Sequence, residues 1–586
     1  MNISNKTWGF SARTLQAGQV SLILLWLLPM ISGGLMLIGL GNASCWDDEA
    51  SIAWSARTLI RTGRLSMWDG RNMYTDDDLT TYYDKYGDGN PPLEALVAAA
   101  SFKILGVSDW SARLPFAFAA IFTVLFFVIL LRYAIPASES FQVYSAAILA
   151  LSPAFLLYGR NCRYYSLTML FPVVLYFLYR RYIAKRRDSD LALLLILSIA
   201  LFYAQYLSCA IFLAALAAVH LLFYRDTIKR KGCIKPLCAL AIFLFTTIPY
   251  AFLNGGLTFL QLAKPEPWLP HHAKLLWWNL RDLNLHAILP WPAALGLAGY
   301  LRFEWQNRQK LNETEVQAFD LTLQFAVMVF VPILMLGLIS PGDTIDAKIV
   351  DLRYQTVMIP WMAGLTGALL WYVHRRYPIA AFALFATILC SNALTLTPPF
   401  VGTYFPETHA FRWLLPNYID EVTHPYPTAH EEVAAYLNEN AQYNDTVTAS
   451  PAFYNTPIAY YAGDKIRICC QLDRRSNFSP QTAEALHAPI MIEDNYPTWF
   501  VSYGSRPQSL GDMAYFSRPH IVAGRLVRHN FELVKILNVY WKQTNRPELP
   551  LHTFGPDKDF DPRIDGVFIF KAQPDFVVTD DHRPTS

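Results

Sequence analysis

The chain has 586 residues, of which 53% are hydrophobic and 16% charged, with a net charge of +2. A water-soluble protein of this length carries more charge. A near-neutral balance also gives no field for gathering nucleic acid. What remains is a polytopic α-helical membrane protein.

Residues 1–18 are polar and carry Lys6 and Arg13, so they are expected in the cytoplasm. The apolar run 20–40 is too long for the core of a cleavable signal peptide, and no small-residue cleavage site follows it. It opens a series of about eleven expected transmembrane helices, near 19–41, 114–133, 141–158, 164–181, 190–206, 207–224, 236–254, 285–301, 320–340, 354–373 and 378–397. Basic residues gather in alternate loops: Arg180, Arg181 and Lys185–Arg187; Arg225 to Lys235; Arg302 to Lys310; Arg375 and Arg376. The positive-inside rule puts these four loops in the cytoplasm. The acidic loop 42–113, the loop 255–284 and the loop 341–352 then fall outside, as does everything after the last span.

Within the first outer loop, 48–62 and 92–105 have helical spacing and charged ends and are expected as short interfacial helices. From about residue 400 no spanning run occurs, and Pro, Asn, Asp and Tyr become common. A capped helix is expected at 428–441 and strands at 446–449, 466–470, 499–503, 532–539 and 566–570. The expected layout is a transmembrane catalytic domain, 1–400, with its first exoplasmic loop at 42–113, and an exoplasmic or periplasmic α/β domain, 401–586. Of the eight cysteines, none has metal-ligand spacing. Cys45 and Cys162 fall on the outer side and read as two separate thiols in preference to a disulfide.

Asp47, Asp48 and Glu49 follow the first span directly. Carboxylates beside a bilayer are costly unless solvated or functional, and one of them can act as a general base toward a hydroxyl. The plainer reading is that Asp47 or Asp48 caps a helix starting near Glu49. Arg160 and Arg163, with Tyr164, sit in an outer loop where the positive-inside rule depletes cations. Lys348, Arg353 and Tyr354 form a second such group, in which Asp351 could pair with Arg353. Lys264, His271, His272, Lys274 and Arg281 lie among tryptophans in a third. Headgroup anchoring accounts for such residues, and so does a clamp for a phosphate. His271-His272 lacks an accompanying carboxylate spacing and reads poorly as a metal site. Asp76, Asp77 and Asp78 read as solvated loop residues.

The ordered set Asp48-Glu49, Asn90-Pro91-Pro92-Leu93, Gly106, Arg113-Leu114-Pro115, Arg163-Tyr164 and Arg353-Tyr354 with Pro360 resembles the GT-C glycosyltransferases. Within them it is most similar to the protein O-mannosyltransferase and aminoarabinose (lipid A) transferase superfamily, over roughly residues 1–400. The resemblance implies transfer of a sugar from a polyprenyl-phosphate-linked donor to a lipid, glycan or protein hydroxyl at the exoplasmic face of a bacterial inner or plasma membrane. Asp48 matches the catalytic position, and Glu49 would orient the loop or the acceptor. The resemblance implies phosphate contacts from Arg163 and Arg353; Arg281, Lys348 and Lys264 are added by position, with Asn90, Tyr164 and Tyr354 in support. Many relatives have a basic residue where this chain has Asn90, which hydrogen-bonds a phosphate without neutralising it. The sequence requires no cofactor, gives no support for a divalent cation and implies no nucleic-acid partner. Two other readings stay open: a transporter or flippase of lipid-linked sugars, and a non-catalytic assembly subunit of the same fold.

Overall fold

The computed structural model describes residues 12–66, 68–72, 74–75, 82–83, 91–225, 234–253, 268–339, 352–396, 410–468, 497–504, 520–522, 525–540, 546–555 and 560–576. Asn90, Lys264, Lys348, Asp351, Asp76–Asp78 and Cys469-Cys470 lie outside the described residues.

In chain order the helices are α1 (Ala12–Leu37), α2 (Asp47–Thr62), α3 (Leu93–Leu105), α4 (Asp109–Ala134), α5 (Glu139–Leu151), α6 (Pro153–Gly159), α7 (Tyr165–Lys185), α8 (Asp188–Ala204), α9 (Tyr206–Phe223), α10 (Ile234–Leu253), α11 (Trp268–Leu283), α12 (Trp291–Gln306), α13 (Glu313–Ile339), α14 (Ile359–His374), α15 (Pro378–Cys390), α16 (Leu415–Thr423), α17 (Ala429–Asn440), α18 (Asn455–Ala462) and α19 (Pro562–Asp565). Each apolar segment expected to span carries a helix. Six of the described helical stretches are long and apolar enough to cross a membrane, and the pair α5–α6, bent by 54°, adds a seventh. The bend falls where Ser152 leaves the helical region and Pro153 starts the next helix. The chain is an integral membrane protein.

It folds as two compact units. The first takes in Met1–Ile38, Phe116–Ile419 and Pro547–Pro550. Helix α14 is its centre, packed by α5, α12, α13 and α15. Trp361, Met362, Leu365, Ala368 and Leu370 are all buried. Two glycines let neighbouring helices close in, as small residues do where no water is available to drive association. Gly364 receives the Phe325 ring of α13, and a Cβ on Gly367 would lie 2.5 Å from Ser145 Cα and 2.6 Å from Ser145 N of α5.

The second unit takes in Gly39–Pro115, Asp420–Arg546 and Leu551–Ser586. Its sheet has six strands in the order β4-β3-β5-β8-β7-β6, with β3 (Thr446–Ser450) parallel to β4 (Arg467–Ile468) and β5 (Trp499–Tyr503). β6 (His520–Val522), β7 (Arg525–Leu537) and β8 (Val567–Phe576) continue it antiparallel. Separately, β1 (Tyr74–Thr75) pairs with β2 (Tyr82–Tyr83) in the loop between α2 and α3. Val433 and Leu437 of α17 and Ile458 of α18 pack on Val447, Val501, Val567 and Ile569 of the sheet. Helices α2 and α3 pack together, and α18 packs on α2. The first loop and the C-terminal stretch thus share one unit.

Candidate active site

Helix α2 presents the acidic turn. Trp46 is its N-cap, with an extended backbone (ψ 174°) and no side-chain cap bond. Asp47, Asp48 and Glu49 are therefore the first three helical residues, where the positive end of the helix dipole favours carboxylates. The expectation that Asp47 or Asp48 caps a helix starting near Glu49 is corrected by this geometry. The cause is Trp46, whose buried side chain and extended backbone start the helix at Asp47. Asp48 donates its backbone N–H to the Asp47 carboxylate at 2.9 Å. The helix ends at Gly63 in the left-handed region (φ 71°), whose N–H closes on Leu59 O at 2.9 Å.

Glu49 points inward and is 0% exposed. Arg113 meets it with a two-point fork, Nε to Oε1 at 2.9 Å and Nη2 to Oε2 at 2.7 Å. The same guanidinium donates to the carbonyls of Leu40 (3.0 Å), Ala43 (2.6 Å) and Ser44 (3.1 Å). Glu49 and Arg113 thereby tie the chain before α2, the first turn of α2 and the start of α4 into one knot. Asp48, next to Glu49, is half-buried. Arg113 was legible only as part of a motif. Its partner lies 64 residues away, a separation that leaves no periodic trace.

In the first unit, Arg163 lies in the turn between α6 and α7. Its N–H bonds Asn161 O at 2.8 Å, and its guanidinium lies 5.3 Å from the Tyr164 ring. Tyr164 stacks edge-on against Tyr165, which meets Tyr158 in the same way. Arg353 and Tyr354 sit half-buried in the 3-10 segment Leu352–Met358. Arg353 Nε is 3.8 Å from Glu548 Oε1, a partner that no local pattern reveals. Arg281 is buried on α11, and its fork closes on its neighbour Asp282 at 2.5 and 2.9 Å. That adjacency is visible in the sequence.

The segment Leu352–Met358, which carries Arg353, packs on α7, which starts just after Arg163, and on α11, which carries Arg281. Buried polar contacts stitch them. Thr168 and Thr356 hydroxyls are 3.0 Å apart, His286 Nε2 is 3.1 Å from Gln355 Oε1, and Gln355 Nε2 donates to Asn279 Oδ1 at 3.2 Å. His271 and His272 meet edge-on, and His272 Nδ1 lies 2.8 Å from Gly337 O. Cys45 and Cys162 are both buried thiols that are not joined in a disulfide.

The family model described as Dolichyl-phosphate-mannose-protein mannosyltransferase matches residues 89–252. Over those residues the chain resembles that mannosyltransferase family. Among solved structures, the chain is similar to ArnT from Cupriavidus metallidurans bound to undecaprenyl phosphate, at 13% identity and a TM-score of 0.48, covering 88% of this chain and 97% of that one. The apo ArnT structure gives a TM-score of 0.49 at 13% identity, over 86% and 96% of the two chains. The oligosaccharyltransferase AglB from Archaeoglobus fulgidus, in complex with an inhibitory peptide and a dolichol-phosphate, gives 0.44 at 11% identity, over 83% of this chain and 69% of that one. No curated protein matches.

Proposed function

We propose that the chain is a membrane glycosyltransferase that moves a sugar from a polyprenyl-phosphate-linked donor to an acceptor hydroxyl at the exoplasmic face. The observation that carries this reading is the acidic turn of α2. Glu49 is buried on Arg113, so the first turn is fixed and the half-buried Asp48 beside it is held in place. The match to a family of dolichyl-phosphate-mannose transferases supports a lipid-phosphate donor.

In this reading Asp48 takes the proton of the acceptor hydroxyl. The freed oxygen attacks the anomeric carbon from the face opposite the phosphate. The bond from that carbon to the phosphate oxygen breaks with its electron pair, polyprenyl phosphate leaves, and the anomeric centre inverts. The leaving phosphate needs positive charge as it departs, and Arg163 and Arg353 are the residues for that task. Arg281 ranks behind them because Asp282 closes a fork on it at 2.5 and 2.9 Å, tighter than the 3.8 Å from Arg353 to Glu548. Lys264 and Lys348 stay in reserve by position. Tyr164 and Tyr354 flank the two arginines, and Asn90 contributes a hydrogen bond. Glu49 orients Asp48 through the helix turn. The N-terminus is cytoplasmic in this layout, and the acidic loop and the C-terminal stretch are exoplasmic.

The test compares envelope lipids and glycans by mass spectrometry in cells with the chain, without it, and with Asp48→Asn. The expected result is a sugar mass increment that disappears in the last two cases while the membrane content of the variant is unchanged. Undiminished transfer by Asp48→Asn removes Asp48 from the reaction.

A further inference from the structure

Three consecutive residues immediately before the acidic turn are each held by the C-terminal stretch of the same unit. The Ser44 N–H reaches Thr428 Oγ1 at 3.3 Å. The Cys45 N–H donates to Tyr461 Oη at 2.6 Å. Trp46, the N-cap, lies under the Arg546 guanidinium, 5.2 Å from its ring. The middle contact is the most enclosed. The Tyr461 hydroxyl in turn donates to Asp109 Oδ2 at 2.7 Å, and the Cys45 thiol reaches Asp109 Oδ1 at 3.4 Å. Cys45 is 0% exposed. Burial pushes the Tyr461 hydroxyl well above its ordinary value, so it stays protonated and donating.

Farther along α2 the same stretch is gripped again. Arg57 donates to the carbonyls of Tyr460 (2.6 Å) and Ala459 (3.2 Å), and Arg61 forks onto Asp464 at 2.7 and 2.9 Å. Beyond the helix, Arg71 donates to Ile466 O at 3.0 Å, and Asn72 bonds Gly463 O at 3.1 Å and the Ile468 N–H at 2.9 Å. Apolar packing alone would leave the turn free to slide. Hydrogen bonds to the backbone at residues 44 and 45 set its position along and around the helix axis.

We propose that Tyr461, with Asp109 as its acceptor, is a positioning residue that holds the backbone before Asp47-Asp48-Glu49 and so sets where Asp48 stands. The inference rests on the reading of Asp48 as the base. General-base transfer tolerates little displacement: an error near 1 Å costs on the order of a hundredfold.

Cys45 is a built-in reporter for the experiment. Membranes carrying the full chain are treated with N-ethylmaleimide, labelling at Cys45 is followed by peptide mass spectrometry, and transfer is read from the sugar mass increment per extracted chain. In Tyr461→Phe the expected result is Cys45 labelling about tenfold faster, as local opening becomes easier, with transfer down about tenfold or more. Asp109→Asn keeps an oxygen for the Tyr461 hydroxyl and is expected to hold both readouts near wild type, whereas Asp109→Ala reproduces Tyr461→Phe. Thr428→Val, a milder change at residue 44, is expected to move both readouts in the same direction by less, and it decides the matter where Tyr461→Phe lowers the amount of folded chain. Wild-type labelling in Tyr461→Phe overturns the proposal, as does faster labelling with undiminished transfer. Asp48→Asn is expected to abolish transfer and leave labelling unchanged. Undiminished transfer there defeats the base reading alone, while labelling still reports on the clamp.

Discussion

Arg113 uses all five of its N–H donors, two on Glu49 and three on the backbone carbonyls before α2. Arg113→Met therefore removes the two-point fork on the buried Glu49 carboxylate and the donors Arg113 gives to three carbonyls. Loss of one partner of a buried ion pair costs about 3–5 kcal/mol, and the thermal midpoint of the detergent-extracted protein is expected to fall accordingly. Arg113→Lys is expected to restore little, because an ammonium cannot make the planar fork. His430 makes a second residue-scale prediction. It is buried between Tyr454 and Tyr503, with Nδ1 3.1 Å from Tyr503 Oη, and burial pushes its pKa down to about 3. The unfolded chain binds a proton at this ring near pH 6.5 while the folded one does not, so the neutral ring's stabilisation is full above about pH 6.5 and is lost as pH falls toward 3. His430→Gln is expected to flatten the acid limb of the melting curve over that window. Parallel curves for wild type and variant are the outcome that sinks it.

Among elements, α14 shows the cost of a single methyl group. At Gly367 a Cβ meets backbone atoms of α5, which cannot swing aside as a side chain can. Overpacking of this kind costs roughly 1–3 kcal/mol or more, so Gly367→Ala is expected to reduce the yield and melting temperature of folded protein. Gly367→Ser is expected to do no better, since the added Cβ is the same. The helices themselves were readable from sequence because a long apolar run is a direct signal, and α2 and α3 because Gly63, Pro92 and Gly106 punctuate their ends. Strands β3 and β5 stood out through their apolar β-formers, and β7 proved longer than the stretch 532–539 suggested. The strand order was not readable, because register between distant strands leaves no mark within either one. At the candidate site Asp48 and Arg163 were visible as charges in improbable places. Glu548, Tyr461 and Asp109 were not, since each acquires its role from a partner far along the chain.

For the whole molecule, the discontinuous second unit sets what can fold alone. Residues 420–586 expressed without the first loop lose the partners of Tyr461, Asp464 and the carbonyls of Ala459 and Tyr460. That fragment is expected to lack a cooperative melt by circular dichroism, and supplying 39–115 as a fused segment is expected to restore one. The same discontinuity has a consequence for biosynthesis. Arg57 and the carbonyl of Tyr460 that it needs are 403 residues apart, which at typical elongation rates is roughly 20–80 s of translation. Through that interval Arg113 can already knot Glu49, since both come from the early chain, but Arg57 waits for the Tyr460 carbonyl and Asp109 for the Tyr461 hydroxyl. The nascent protein thus has a built-in delay: its acidic turn stays incompletely framed until the ribosome has passed residue 461, late in synthesis.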